Sequence, residues 1–160
     1  MNELQRQSMQ HAISLAYHNA AHQHGKPFGA VIMKDDDVVA TGINEVLASH
    51  DPTAHAEMQA IREACRKLGT SDLQGYTLYA SGEPCPMCFS AIFWANIREV
   101  YYGYSNEDAE SFGLSTKYLY DQIAISKEER DVKFVKLDPS ISEYRPLDMW
   151  KAVNEKGINE

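Results

Sequence analysis

The chain has 160 residues, 44% hydrophobic and 24% charged, with a formal net charge of −8. This length suits one compact domain, and the composition excludes a disordered chain, a collagen-like chain and a pure coiled coil. No apolar run approaches the roughly 20 residues that span a bilayer, and 15 Lys+Arg against 23 Asp+Glu speak against a nucleic-acid partner, whose phosphates call for cations.

The start of the chain is polar and lacks the apolar core of a signal peptide, which points to a cytoplasmic protein with no membrane partner. Apolar residues at helical spacing over 4–21 predict an amphipathic helix, ended by Gly25-Lys26-Pro27. Apolar runs at 28–33 and 38–40 flank Asp35-Asp36-Asp37 and predict a β-hairpin with a solvated turn. Residues 44–52 read as a loop. Asp51 or Thr53 is expected to cap a helix from about Ala54 to Leu68, stopped by Gly69. A strand is expected at 76–80. Pro86 suits the first turn of a helix reaching Ala95, and 100–104 predicts another strand. Residues 106–122 read as short helices and loop, 132–137 as a fifth strand, and 142–154 as a last helix beyond a hinge at Asp138-Pro139-Ser140. Strands alternating with helices imply an α/β protein, with helices on both faces of a sheet.

Three cysteines, Cys65, Cys85 and Cys88, do not make a disulfide framework. Cys65, inside a helix, reads as a small buried apolar residue. The Cys85–Cys88 pair reads as a metal or redox site. Both thiols lie on one helix face and lean towards its N-terminus, where the helix dipole favours thiolate. His55, at the start of another helix, supplies a third ligand. One imidazole and two thiolates make a zinc site with its fourth position open, an arrangement suited to catalysis. Glu57, two residues after His55, is placed to take a proton from water and return it to a substrate. The chemistry is hydrolysis at an electron-poor carbon. A thioredoxin-like redox pair would need neither the flanking prolines nor His55-Ala56-Glu57. A zinc-stabilised binding module would need a fourth ligand, which neither motif supplies. His11, His18 and His22 share a face of the first helix and read as solvated. Tyr101, Tyr102 and Tyr104 read as strand formers. Trp94 either walls the pocket or packs in the core.

The H-x-E motif at His55 followed by P-C-x-x-C at Pro84 resembles the cytidine-deaminase superfamily, in the branch acting on bases. Asp51-Pro52-Thr53-Ala54-His55-Ala56-Glu57 is most similar to bacterial guanine deaminases. So are Pro27-Phe28-Gly29-Ala30-Val31, Ala91-Ile92-Phe93-Trp94-Ala95 and Pro146-Leu147-Asp148-Met149-Trp150. The resemblance implies a three-layer α-β-α sandwich around a mixed five-stranded sheet, spanning 1–160. It implies one zinc per chain, held by His55, Cys85 and Cys88, with Glu57 as proton shuttle. The resemblance also gives Asn44 a hydrogen bond to the base and Phe28 a place lining its pocket; the mechanism expected from these residues adds Trp94 beside Phe28 on the ring face and backbone near Ala54 and Ala56 orienting the ring. A homodimer exchanging its 139–160 segments is also implied.

The implied reaction turns free guanine into xanthine and ammonia. The alternatives are the same chemistry on guanosine, cytosine or another aminated heterocycle, and tRNA adenosine deamination, for which a basic approach surface would be needed. Two departures stand out. Guanine deaminases of this branch carry acids where this chain has Gly113-Leu114-Ser115-Thr116, and Gly82 stands where a cysteine is frequent. Asp108 or Glu110 either substitutes for the missing acid or is a solvated helix-end charge.

Overall fold

A computed structural model describes residues 1–157. Helix α1 (Glu3–Ala21) starts at a capping box in which Asn2 and Gln5 exchange side-chain and backbone bonds. Strands β1 (Gly29–Lys34) and β2 (Asp37–Ile43) form the expected hairpin, with Asp35 in the left-handed region at φ 51°. A short α2 (Val46–Ser49) lies within the stretch read as loop, and α3 (Ala56–Leu68) ends at Gly69, φ 67°. Strand β3 (Thr77–Gly82), α4 (Pro86–Trp94) and β4 (Glu99–Tyr104) follow, then α5 (Asn106–Glu110) and α6 (Lys117–Ala124).

The sheet order is β2-β1-β3-β4; β1 is antiparallel to both neighbours, and β3 is parallel to β4. Strand β1 is buried on both faces, which is why it reads as a continuous apolar run rather than an alternation. Its residues divide between two cores. Ala30 and Ile32 join Leu78 and Ala80 against Ala56, Ala60 and Ala64 of α3 and Ile92 of α4. Val31 and Met33 join Tyr79 against Ala12 of α1. The period of two along a strand thus produces the three layers.

The expected strand count is corrected from five to four among the described residues. Residues 132–137 form no strand, and Val132, Phe134, Val135 and Leu137 are all exposed. Their apolar positions do not alternate and no strand pairs with them, so β-propensity alone does not order a ladder. The chain divides into two compact units, Met1–Ala124 and the segment from Ile125 on. The second unit carries 3-10 turns at Lys127–Glu129 and Pro139–Ile141, and α7 (Pro146–Gly157). Asp138 caps the second turn by accepting from Ser140 N–H at 2.9 Å, so the expected hinge is a hydrogen-bonded turn. Helix α7 begins at Pro146 rather than Ser142, as suits a proline at the first helical position. Residues 158–160 of the proposed exchange segment lie outside the described residues.

Candidate active site

The site is built from two helix N-termini. His55 is the N-cap of α3 and Cys85 the N-cap of α4, one position earlier than a first-turn placement. Neither side chain caps its own helix, which leaves both free to point elsewhere. Asp51 and Thr53, expected as caps, instead bond each other. Asp51 Oδ1 accepts from Thr53 N–H at 2.8 Å and from its hydroxyl at 2.7 Å, fixing the loop ahead of His55. Pro86 at the first position of α4 sets the turn that carries Cys88 one turn on.

His55 Nδ1 lies 3.5 Å from Cys85 Sγ and 3.6 Å from Cys88 Sγ, and the two sulfurs are 3.6 Å apart. Tetrahedral zinc, with Zn–S near 2.3 Å and Zn–N near 2.0 Å, needs S···S of about 3.8 Å and S···N of about 3.5 Å. The triangle therefore fits the metal. Among the described residues it is the one group of three or more His, Cys, Asp or Glu whose donor atoms converge in this way. The charge logic agrees. The hydrogen bond from Cys88, aided by His55, holds the Cys85 thiol down to about 4. The same bond and burial push Cys88 up, and the bond to Cys85 raises His55. Without a metal the trio shares protons; a divalent cation displaces them.

Glu57 is buried, and burial pushes its carboxyl above the ordinary 4.5, with the nearby Cys85 adding to the effect. It lines one cavity together with His55, Cys85, Asn44 and Phe28. Asn44 is 1% exposed, and its Oδ1 makes a long 3.4 Å contact with Val46 N–H. Gly82 lets Phe28 in: a Cβ there would lie 2.9 Å from the ring edge. A side chain at 82 would require the Phe28 ring to shift.

Other expected contacts are placed elsewhere. Trp94 is 85% exposed at the end of α4 and does not line the cavity. Ala54 and Ala56 are fully buried and do not line it either, and the Ala54 carbonyl accepts from Glu45 N–H at 2.9 Å. Asp108 is engaged in the Ser105 capping box, and neither it nor Glu110 reaches the cavity. Cys65 is free and half-buried at the margin of the α3 core. His18 and His22 each bond the backbone carbonyl four residues earlier at 2.8 Å, on the exposed face expected of them.

The cavity also contains Glu83, Asn106 and Thr116, which sequence reasoning did not assemble. The signal lay in topology. The parallel pair places Gly82 opposite Tyr104, so the turns after β3 and β4 leave the same sheet end side by side. Ligands sit at the carboxyl ends of parallel strands for this reason.

The chain matches the family model of the cytidine and deoxycytidylate deaminase zinc-binding region over residues 2–104. It is 41% identical over 144 residues to a guanine deaminase of Bacillus subtilis (strain 168), covering 89% of this chain and 91% of that one. The crystal structure of guanine deaminase from Bacillus subtilis superposes with a TM-score of 0.85 over 95% of each chain. That of a guanine deaminase from Nitrosomonas europaea gives 0.63 at 32% identity, over 68% of this chain and 63% of that one. Similarity to a tRNA-specific adenosine deaminase of Aquifex aeolicus (strain VF5) is 47% over 74 residues, 46% of this chain and 49% of that one.

Proposed function

The chain belongs to the cytidine and deoxycytidylate deaminase zinc-binding family, and from that premise we propose that it hydrolyses the amine of free guanine to give xanthine and ammonia. The observation that carries this reading is a zinc-shaped donor triangle whose His55 and Cys85 share one cavity with the buried carboxyl of Glu57 and the buried carboxamide of Asn44. The full-length similarity to a guanine deaminase selects the substrate.

His55, Cys85 and Cys88 would hold one zinc per chain. When bound, zinc supplies Lewis acidity that lets water act as a nucleophile near neutral pH. The remaining work belongs to the protein. Glu57 takes one proton of the attacking water and gives it to a ring nitrogen beside the reacting carbon, then takes the remaining proton of the added hydroxyl and passes it to the leaving amine as the carbonyl forms. Its burial, which favours the protonated form, suits a group that must hold a proton between those steps. Asn44 offers a donor and an acceptor to the ring edge, and Phe28 covers the ring face. The water adds its oxygen to the ring, and the amine departs as ammonia.

The assembly that fits is a cytoplasmic homodimer with exchanged C-terminal segments. Its support is apolar surface on each unit. Phe89, Phe93 and Trp94 of α4 are exposed, as are Tyr144, Leu147 and Trp150. Clustered apolar surface of this kind marks interfaces.

One observation favours a second reading, the same chemistry on guanosine, cytosine or another aminated heterocycle. The residues lining the cavity from the 113–116 stretch are Leu114 and Thr116, both neutral, where the resemblance leads one to look for an acid. Ammonia release by zinc-loaded protein decides between them, using guanine, guanosine, cytosine, cytidine, adenine and a tRNA hairpin. Guanine is expected to lead by at least tenfold; silence on guanine with turnover of another substrate overturns the assignment.

A further inference from the structure

Glu83, Asn106 and Thr116 form a hydrogen-bonded chain along the cavity wall that the proton-transfer chemistry leaves unused. Glu83 Oε2 accepts from Asn106 N–H at 2.9 Å. Thr116 donates twice to Asn106 Oδ1, from its backbone N–H at 2.8 Å and from its hydroxyl at 2.9 Å. Two donors saturate that oxygen and fix the carboxamide, so Nδ2 is the atom left for a ligand. None of the hydrogen bonds between described residues uses Asn106 Nδ2 or Glu83 Oε1. The wall thus presents an acceptor beside a donor.

We propose that Glu83 and Asn106 read a lactam edge of the substrate, accepting from its ring N–H and donating to its carbonyl, with Thr116 as the positioning residue. The inference rests on the deamination of a free base proposed above and adds which edge of that base is recognised. Glu83 stands two residues before the ligand Cys85 and lines the same cavity as His55 and Cys85. The ring edge it meets is therefore the one flanking the reacting carbon. In guanine that edge is a ring N–H followed by a carbonyl. In adenine the same edge is a bare ring nitrogen followed by an amine. Both of its groups would then face a like partner, and such mismatches are strongly rejected.

Hypoxanthine and adenine share the ring system, lack the amine at the reacting position, and differ only at this edge. Calorimetric titration of the zinc-loaded protein should show hypoxanthine binding about thirtyfold tighter, the worth of two matched hydrogen bonds against two mismatched ones. Asn106→Asp keeps the oxygen that Thr116 holds and exchanges the donor for an acceptor, which leaves each base with one matched and one mismatched group, so it should abolish the preference. Thr116→Val should shrink the preference several-fold without abolishing it. An Asn106 with a merely structural role would weaken both ligands alike. Equal binding of the two bases by the wild type, or an unchanged ratio in Asn106→Asp, overturns the inference. Guanine turnover measured in parallel separates the two claims. Hypoxanthine preference without guanine turnover sinks the substrate and keeps the lactam reading; turnover without preference does the reverse.

Discussion

Glu57 carries two opposed demands. A carboxyl 7% exposed is a useful proton carrier because burial raises its affinity for a proton, and the same burial penalises the ionised form in the folded state. In zinc-free protein the folded state keeps a proton that the unfolded state releases once pH passes about 4.5. The unfolded state then binds fewer protons, so this group's contribution to stability falls as pH rises from there towards the raised folded value. Zinc-free Glu57→Gln should therefore melt higher than zinc-free wild type at about pH 7, with the gap closing below about pH 4. Equal melting at the higher pH would contradict the burial argument. Cys88 plays a simpler part. It is fully buried and contributes one vertex of the triangle. Cys88→Ala should purify without stoichiometric zinc, as metal analysis would read, and should lose turnover with it.

The element scale explains why the triangle forms. Helix α3 lies against β2 so closely that a Cβ on Gly42 would sit 2.1 Å from Ala56 O and 2.6 Å from Ala60 N. Ala56 directly follows His55, and Asn44 lies two residues beyond Gly42, so one close packing sets the His55 imidazole and the Asn44 carboxamide together. Gly42→Ala should cost roughly 2–3 kcal/mol by overpacking and weaken zinc retention by pushing the start of α3 outward. Denaturant titration with metal analysis checks both, and a variant as stable as wild type with full zinc would refute the coupling. The hairpin, α3, α4 and the metal triad were legible because turn residues, capping positions and ligand spacing are local signals. The cavity wall was not, because Glu83 and Asn106 meet only through the β3–β4 register. Trp94 was misplaced because its helical spacing does not say which face of α4 remains uncovered. The run at 132–137 has strand-forming residues, yet a strand exists only by pairing, and pairing is not encoded in the run itself.

At the scale of the molecule, both units expose apolar side chains that a lone chain would leave wetted. Light scattering is expected to give twice the 18.0 kDa chain mass, and a monomer with full activity would remove the proposed dimer from the account. The acidic net charge of −8 is consistent with a small substrate rather than a phosphate backbone, since no counterion release would support the latter. The central claim, zinc-dependent deamination of guanine with Glu57 moving the proton, is met most directly by one comparison. Xanthine formation from guanine should be followed in the wild type, in chelator-stripped protein, in the same protein reloaded with zinc, and in zinc-loaded Glu57→Gln. The account predicts turnover that disappears with the metal, returns with zinc, and falls by about a thousandfold or more in Glu57→Gln with zinc content unchanged. Xanthine formation that survives stripping, or that proceeds at a near-normal rate in zinc-loaded Glu57→Gln, would contradict it.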